Sequence, residues 1–232
     1  MDAGRRFVTG SSGRPAGLLL DLDGTLVLSE PVHRRTWRHF FDLWGADVTD
    51  HQYEQTFMGR RASDVLAAVP GPWTGRNLRA IQAEMMAHAQ TLGHAVETVP
   101  GAAELIRGVT DAGVPVAVVT SAGPGWAEEV LGPVLHVRDR VTMLVTAEDV
   151  ATGKPSPEGY RRGCERLGLD PADCAGVEDS ASGVQALLDA GVGSVIGITT
   201  TSSAADLLAA GAHRTVADLR DPWLVGFVAG GV

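Results

Sequence analysis

Lysine is almost missing from this sequence. The 232-residue chain has 19 Lys and Arg in total, and only one of them, Lys154, is lysine. Positive charge is short as well. Acidic residues number 28 and the formal net charge is −9, which argues against nucleic acid or an anionic membrane as the main partner. The two cysteines, Cys164 and Cys174, are too few and too plainly spaced for a disulfide framework or a zinc site, so two reduced thiols are expected. No apolar run is long enough to span a bilayer. The Arg5-Arg6 pair suggests an export signal, but the stretch after it, "GLLLDLDG", is too short and carries two acids. These absences lead to the expectation of a cytoplasmic protein, and the Gly/Ser/Arg-rich start "MDAGRRFVTGSSGRPAG" to that of a flexible segment at residues 1–15.

What is present follows a clear order. "GLLLDL", residues 17–22, reads as a short buried strand. After it comes a strongly amphipathic helix in which Trp37, Phe40, Phe41 and Trp44 recur at helical spacing. Further helices are predicted at about 50–57, 61–69 and 75–93, the last with a stripe of Leu78, Ile81, Met85, Ala89 and Leu92. From "VETVPG" onward helices and strands alternate. Strands are predicted at "VPVAVVT", "VTMLVT", "CAGVED", "SVIGIT" and, weakly, "HRTVAD". Alternation of this kind implies a parallel sheet covered on both faces. The predicted fold is therefore α/β, a doubly wound, Rossmann-like core at residues 1–29 and 98–232, with a helical cap at 30–97 inserted after the first strand.

Open parallel sheets bind ligands beyond the carboxyl ends of their strands. Asp21 and Asp23 follow the first strand, and Thr120 and Ser121 follow "VPVAVV". Lys154 follows "VTMLVT", and Glu178 and Asp179 follow "CAGV". Carboxylates, a hydroxyl and an ammonium gathered at one edge suit phosphoryl transfer through an aspartate. Asp21 is the expected nucleophile. Its approach to a phosphate needs charge neutralisation, for which Mg²⁺ with hard oxygen ligands is suited. Asp21 and Asp179 are the direct ligands in this reading, with Glu178 binding directly or through water and Asp23 offering its backbone carbonyl. The Asp23 side chain is the general acid and base. Lys154 bridges Asp21 and the phosphate, a place for a compact ammonium rather than a planar guanidinium. Thr120 and the backbone near Ser121 and Ala122 donate to phosphate oxygens.

"DLDGT", "VVTSAG", "GKPSPEGY" and "GVEDSASGVQALLDAG" resemble the four ordered motifs of the haloacid dehalogenase superfamily. The insert resembles the helical cap of its β-phosphoglucomutase-like branch. The resemblance covers about residues 17–217 and implies the same roles for Asp21, Asp23, Thr120, Lys154, Glu178 and Asp179. It also implies substrate contacts from the cap. His33 matches a histidine of the sugar-phosphate members, and Arg60 and Arg61 lie in "MGRRASDVL", which resembles the cap loop that reaches into the site in mutases and sugar phosphatases. Met58, Trp73 and the aromatic stripe are expected as cap packing.

Dehalogenation needs neither Mg²⁺ nor a second aspartate, and phosphonate hydrolysis needs a cap lysine that is absent here. Mutases of this branch carry a cap arginine where this chain has Ala62, and they also use a cap lysine. The expected activity is a Mg²⁺-dependent phosphatase acting as a monomer on a small phosphorylated sugar or polyol. The alternatives are a sugar phosphomutase, a receiver-like phosphoacceptor or a non-catalytic homologue.

Overall fold

The computed structural model describes residues 14–57, 62–92 and 96–230. Ser29–Glu97 form one compact unit, and the chain before and after them forms the other. The first strand, β1 (Gly17–Leu20), is buried along its whole length, as the run "GLLL" requires. The chain then passes through the two-residue strand β2 (Val27–Leu28) into four helices, α1 (Glu30–Trp44), α2 (Asp50–Thr56), α3 (Ala62–Ala68) and α4 (Leu78–Leu92). It returns through a second two-residue strand, β3 (Glu97–Thr98).

The helical unit has its own aromatic core. Trp37, Phe40 and Phe41 of α1 pack with Tyr53, Phe57, Val65, Leu66, Trp73 and Ile81. Trp37 stacks on Phe41 with ring centroids 5.5 Å apart. Trp73 is buried, as the packing reading requires, and its indole N–H donates to the Val69 carbonyl at 2.9 Å. Helix α1 stops at Gly45, whose φ of 61° closes it in the left-handed conformation. Helix α4 starts three residues later than the sequence suggested. Gly75 turns with φ 78°, and the Asn77 side chain then accepts from the N–H groups of Arg79 and Ala80 as a cap.

The second unit alternates α5 (Ala102–Asp111), β4 (Val116–Val119), α6 (Pro124–Glu129), β5 (Met143–Val145), α7 (Glu158–Leu167), β6 (Cys174–Glu178), α8 (Ala181–Ala190), β7 (Ser194–Ile198), α9 (Ala204–Ala209), β8 (Arg214–Val216) and α10 (Pro222–Ala229). With β1, its strands form one parallel six-stranded sheet in the order β5-β4-β1-β6-β7-β8, and β2 pairs with β3 in a separate two-stranded sheet. The central strand β1 sets Leu20 opposite Val118 on one side and Val177 on the other. Side chains alternate along a strand. Leu19 packs with Tyr160 and Cys164 of α7 and Val184 and Leu187 of α8, while Leu18 and Leu20 face the other side and are equally buried. Both cysteines are buried free thiols.

Helix α6 runs into a π-helical turn at Val130–Val134, where Pro133 lacks the N–H that an α-turn needs and Leu135 bonds back to Val130. The last helix, α10, has no counterpart in the sequence reading, although Asp221 caps it and Pro222 opens it. Among the described residues no helix is long and apolar enough to cross a membrane.

Candidate active site

The carboxyl ends of β1, β4 and β6, with the chain after β5, converge as the topology demands. Asp21 leaves β1 buried, its N–H held by the Val177 carbonyl at 3.2 Å. The turn behind it needs Gly24. That residue has φ 86°, and a Cβ there would overlap the Asp179 carboxylate and the Thr201 hydroxyl. The Thr200 hydroxyl donates to the Gly24 carbonyl and ties the turn to the end of β7.

Lys154 reaches into this edge from the loop after β5. Its ammonium donates to Asp21 Oδ1, to Glu178 Oε1 at 2.6 Å and to the Val119 carbonyl at 3.2 Å. It lies 5.0 Å from the centre of the Tyr160 ring. All three of its hydrogens have a partner, an arrangement that a flat guanidinium fork does not reproduce.

Glu178 is fully buried and fully engaged. Lys154 and the Tyr160 hydroxyl, the latter at 2.7 Å, donate to Oε1. Oε2 accepts from the Asp179 N–H at 3.0 Å and from the Ser180 N–H and hydroxyl at 3.3 and 3.1 Å. Five donors on two oxygens leave little capacity for direct metal ligation, so its geometry is that of a group holding Lys154 and the β6–α8 turn. The close packing there depends on Gly183, where any Cβ would overlap the Glu178 carboxylate.

Asp21, Glu178 and Asp179 place one oxygen each within 4.8 Å of one another, the only such group of three among the described residues. The electrostatics follow from burial. Asp21 is pushed up to about 7, first by loss of water and then by repulsion from Glu178, with Lys154 pulling the other way. Asp179 is raised well above the ordinary carboxylate range by burial and by its two acidic neighbours. Burial also penalises Glu178, but Lys154, Tyr160 and Ser180 outweigh it and hold the value below normal. Lys154 is raised because Asp21 and Glu178 overcome its own desolvation. Fully ionised, the three buried carboxylates facing one ammonium would carry an excess of two negative charges, and burial opposes that without a cation. Hard oxygen donors with that excess fit one divalent cation such as Mg²⁺.

On the other side of Asp21, Thr120 follows β4 buried, and its hydroxyl accepts the Ala122 N–H at 2.9 Å. The backbone through Ser121 and Ala122 thus folds into a small loop before α6. Asp23 is half-buried, with Oδ2 accepting a long hydrogen bond from the Thr120 hydroxyl at 3.5 Å and Oδ1 accepting the Trp126 indole N–H at 2.9 Å. Asp21, Asp23, Thr120, Ser121, Ala122, Lys154, Glu178 and Asp179 therefore belong to one edge of one unit. His33 lies on the first turn of α1, in the other unit, beside Glu30. Arg60 and Arg61 lie outside the described residues.

Tyr160, Trp126, Thr200, Thr201 and Gly183 were not expected at the site. The thread to Thr200 and Thr201 was available: they follow β7, and the strand-end rule that found Thr120 applies there too. Tyr160 lies among the apolar residues of α7, and nothing local in the sequence marks it as a donor to Glu178.

Residues 15–191 match the haloacid dehalogenase-like hydrolase family. Validoxylamine A 7'-phosphate phosphatase from Streptomyces hygroscopicus subsp. limoneus is 36% identical over 187 residues, 80% of this chain and 86% of that protein. Hexitol phosphatase A from Escherichia coli (strain K12) is 35% identical over 196 residues, 77% of this chain and 81% of that protein. Among solved structures, CbbY from Rhodobacter sphaeroides in complex with phosphate matches with a TM-score of 0.77, covering 89% of this chain and 96% of the other. Their identity of 24% makes that a likeness of fold.

Proposed function

The chain belongs to the haloacid dehalogenase-like hydrolases, and on that premise we propose that it hydrolyses the phosphate ester of a small sugar or polyol through a phospho-aspartate on Asp21. It is a phosphoric monoester hydrolase, in keeping with its phosphatase relatives. The observation that carries the finer reading is the Lys154 ammonium held between Asp21 and Glu178 in a buried cluster that includes Asp179.

Asp21, Asp179 and the Asp23 carbonyl are the groups that would hold Mg²⁺, with Glu178 behind them; the cation supplies the charge that lets a carboxylate meet a phosphate. The chain's own residues do the rest. The substrate phosphate rests on the Thr120 hydroxyl and on the amides of Ser121 and Ala122, with Lys154 between it and Asp21. An Asp21 oxygen forms a bond to phosphorus as the bond from phosphorus to the sugar oxygen breaks. Asp23 gives its proton to that departing oxygen. Water then attacks phosphorus, Asp23 takes a proton from it, and the Asp21–phosphorus bond breaks to release inorganic phosphate. Acid–base help of this type is worth about 10²–10⁴-fold in rate.

Hydrolysis is favoured over a mutase reaction by the sole lysine lying in the core unit and by Ala62 in the cap. His33, Arg60 and Arg61 are proposed to meet the sugar or polyol part.

The test is a screen of phosphorylated sugars and polyols with Mg²⁺, reading inorganic phosphate. The reading expects phosphate release that stops on chelation and in Asp21→Asn. Release that survives in Asp21→Asn, or isomerised sugar phosphate with little free phosphate, would contradict it.

A further inference from the structure

We propose that Trp126 is a positioning residue for proton transfer: its indole N–H holds Asp23 by Oδ1 and thereby reserves Oδ2 as the oxygen that carries the proton. The inference rests on the reading of Asp23 as acid and base given above.

Trp126 sits in α6, just past the Thr120–Ala122 loop, and only 2% of it is exposed. It is therefore placed to act on Asp23 rather than on substrate. Its Nε1 lies 2.9 Å from Asp23 Oδ1. An indole N–H only donates, so the oxygen it meets must accept. In a protonated carboxyl the accepting oxygen is the carbonyl one, and the O–H is on its partner. Oδ2 accepts a longer hydrogen bond, from the Thr120 hydroxyl at 3.5 Å, so the shorter bond on Oδ1 directs the proton to Oδ2.

Thr120 opens the loop proposed to hold the phosphate, so Oδ2 lies beside the place proposed for the ester. A carboxylate on a short side chain has two nearly equivalent oxygens and a free rotation about its last bond. Pinning one oxygen selects one of these arrangements before substrate arrives, which is the gain that orientation gives a catalytic group. In the first step the Oδ2–H bond breaks and the proton passes to the departing sugar oxygen. In the second, Oδ2 takes a proton from the attacking water.

The decisive comparison is kcat/KM, which covers the steps up to release of the first product, for two esters. One is the sugar or polyol phosphate turned over fastest in the screen, whose alkoxide needs a proton. The other is p-nitrophenyl phosphate, whose leaving group needs none. In Trp126→Phe the first should fall about tenfold or more and the second should change much less. KM for the sugar ester should hold while kcat falls. Adding Trp126→Phe to Asp23→Asn should cost nothing further.

Equal losses with both esters would make Trp126 a packing residue. An unchanged or faster sugar-ester rate would mean that it does not position Asp23 for catalysis. Additive losses in the double variant would contradict the inference too. If Trp126→Phe does not fold, benzothienylalanine at position 126 keeps the ring's shape and removes only the N–H, and the same ratios apply. Failure of the wild-type chain to release phosphate from any ester would instead sink the hydrolase reading, and this inference with it.

Discussion

Lys154 donates to Glu178 Oε1 at 2.6 Å, so the ammonium that faces Asp21 is itself held by the strand next to the one that Asp21 leaves. Glu178 in turn is fixed by Tyr160 and by the turn into α8. The active edge is thus a chain of support in which each group's position depends on a partner from another element.

Replacement of Lys154 tests that chain. Lys154→Arg keeps the charge but brings a wider, planar head into a buried space with acceptors in three directions. Phosphate release should fall about 100-fold or more, the order expected when a group acting on the transition state is displaced. A rate equal to the parent's would show that charge alone suffices there.

Gly183→Ala tests the packing behind Glu178. The added methyl must displace a buried, ionised carboxylate. Destabilisation of about 1–3 kcal/mol is expected from overpacking, measured as a lower urea midpoint at unchanged slope. Activity should fall with it, because Lys154 loses its anchor. An unchanged midpoint would mean that the α8 N-terminus yields easily.

The raised value of Asp21 makes a pH prediction. In the metal-free fold Asp21 keeps its proton up to about 7, whereas the unfolded chain releases it near 3.8. Proton binding by the fold in that window means stability present at low pH and lost as pH rises towards 7. Unfolding in urea with chelator present, compared with Asp21→Asn, should show the wild type losing ground across that range. Added Mg²⁺ should remove the slope by favouring the ionised carboxylate. A wild type and Asn variant that run parallel would mean that Asp21 is not desolvated as the geometry requires.

The sequence made some of this legible and hid the rest for physical reasons. "GLLL" could only be a buried strand, and the aromatic period of α1 could only be one face of a helix, because both patterns repeat locally. The strand-end rule located Asp21, Thr120, Lys154 and Glu178 for the same reason. Helix α10 was missed because "PWLVGFVA" is apolar on nearly every side and carries no period, although its Asp221 cap was in plain view. The full engagement of Glu178 was not readable at all. It arises from Tyr160 crossing to β6 from α7, a contact set by tertiary packing. The same holds for Trp126 and Asp23, which are distant in sequence and meet only because α6 folds over the loop after β1.

The central claim is that Asp21 itself takes the phosphoryl group, and the configuration at phosphorus tests it most directly. Hydrolysis of an ester made chiral at phosphorus with oxygen isotopes and sulfur should proceed with net retention, the outcome of two successive in-line displacements. Net inversion would mean that water attacks the ester in one step, and the account of Asp21 would be wrong.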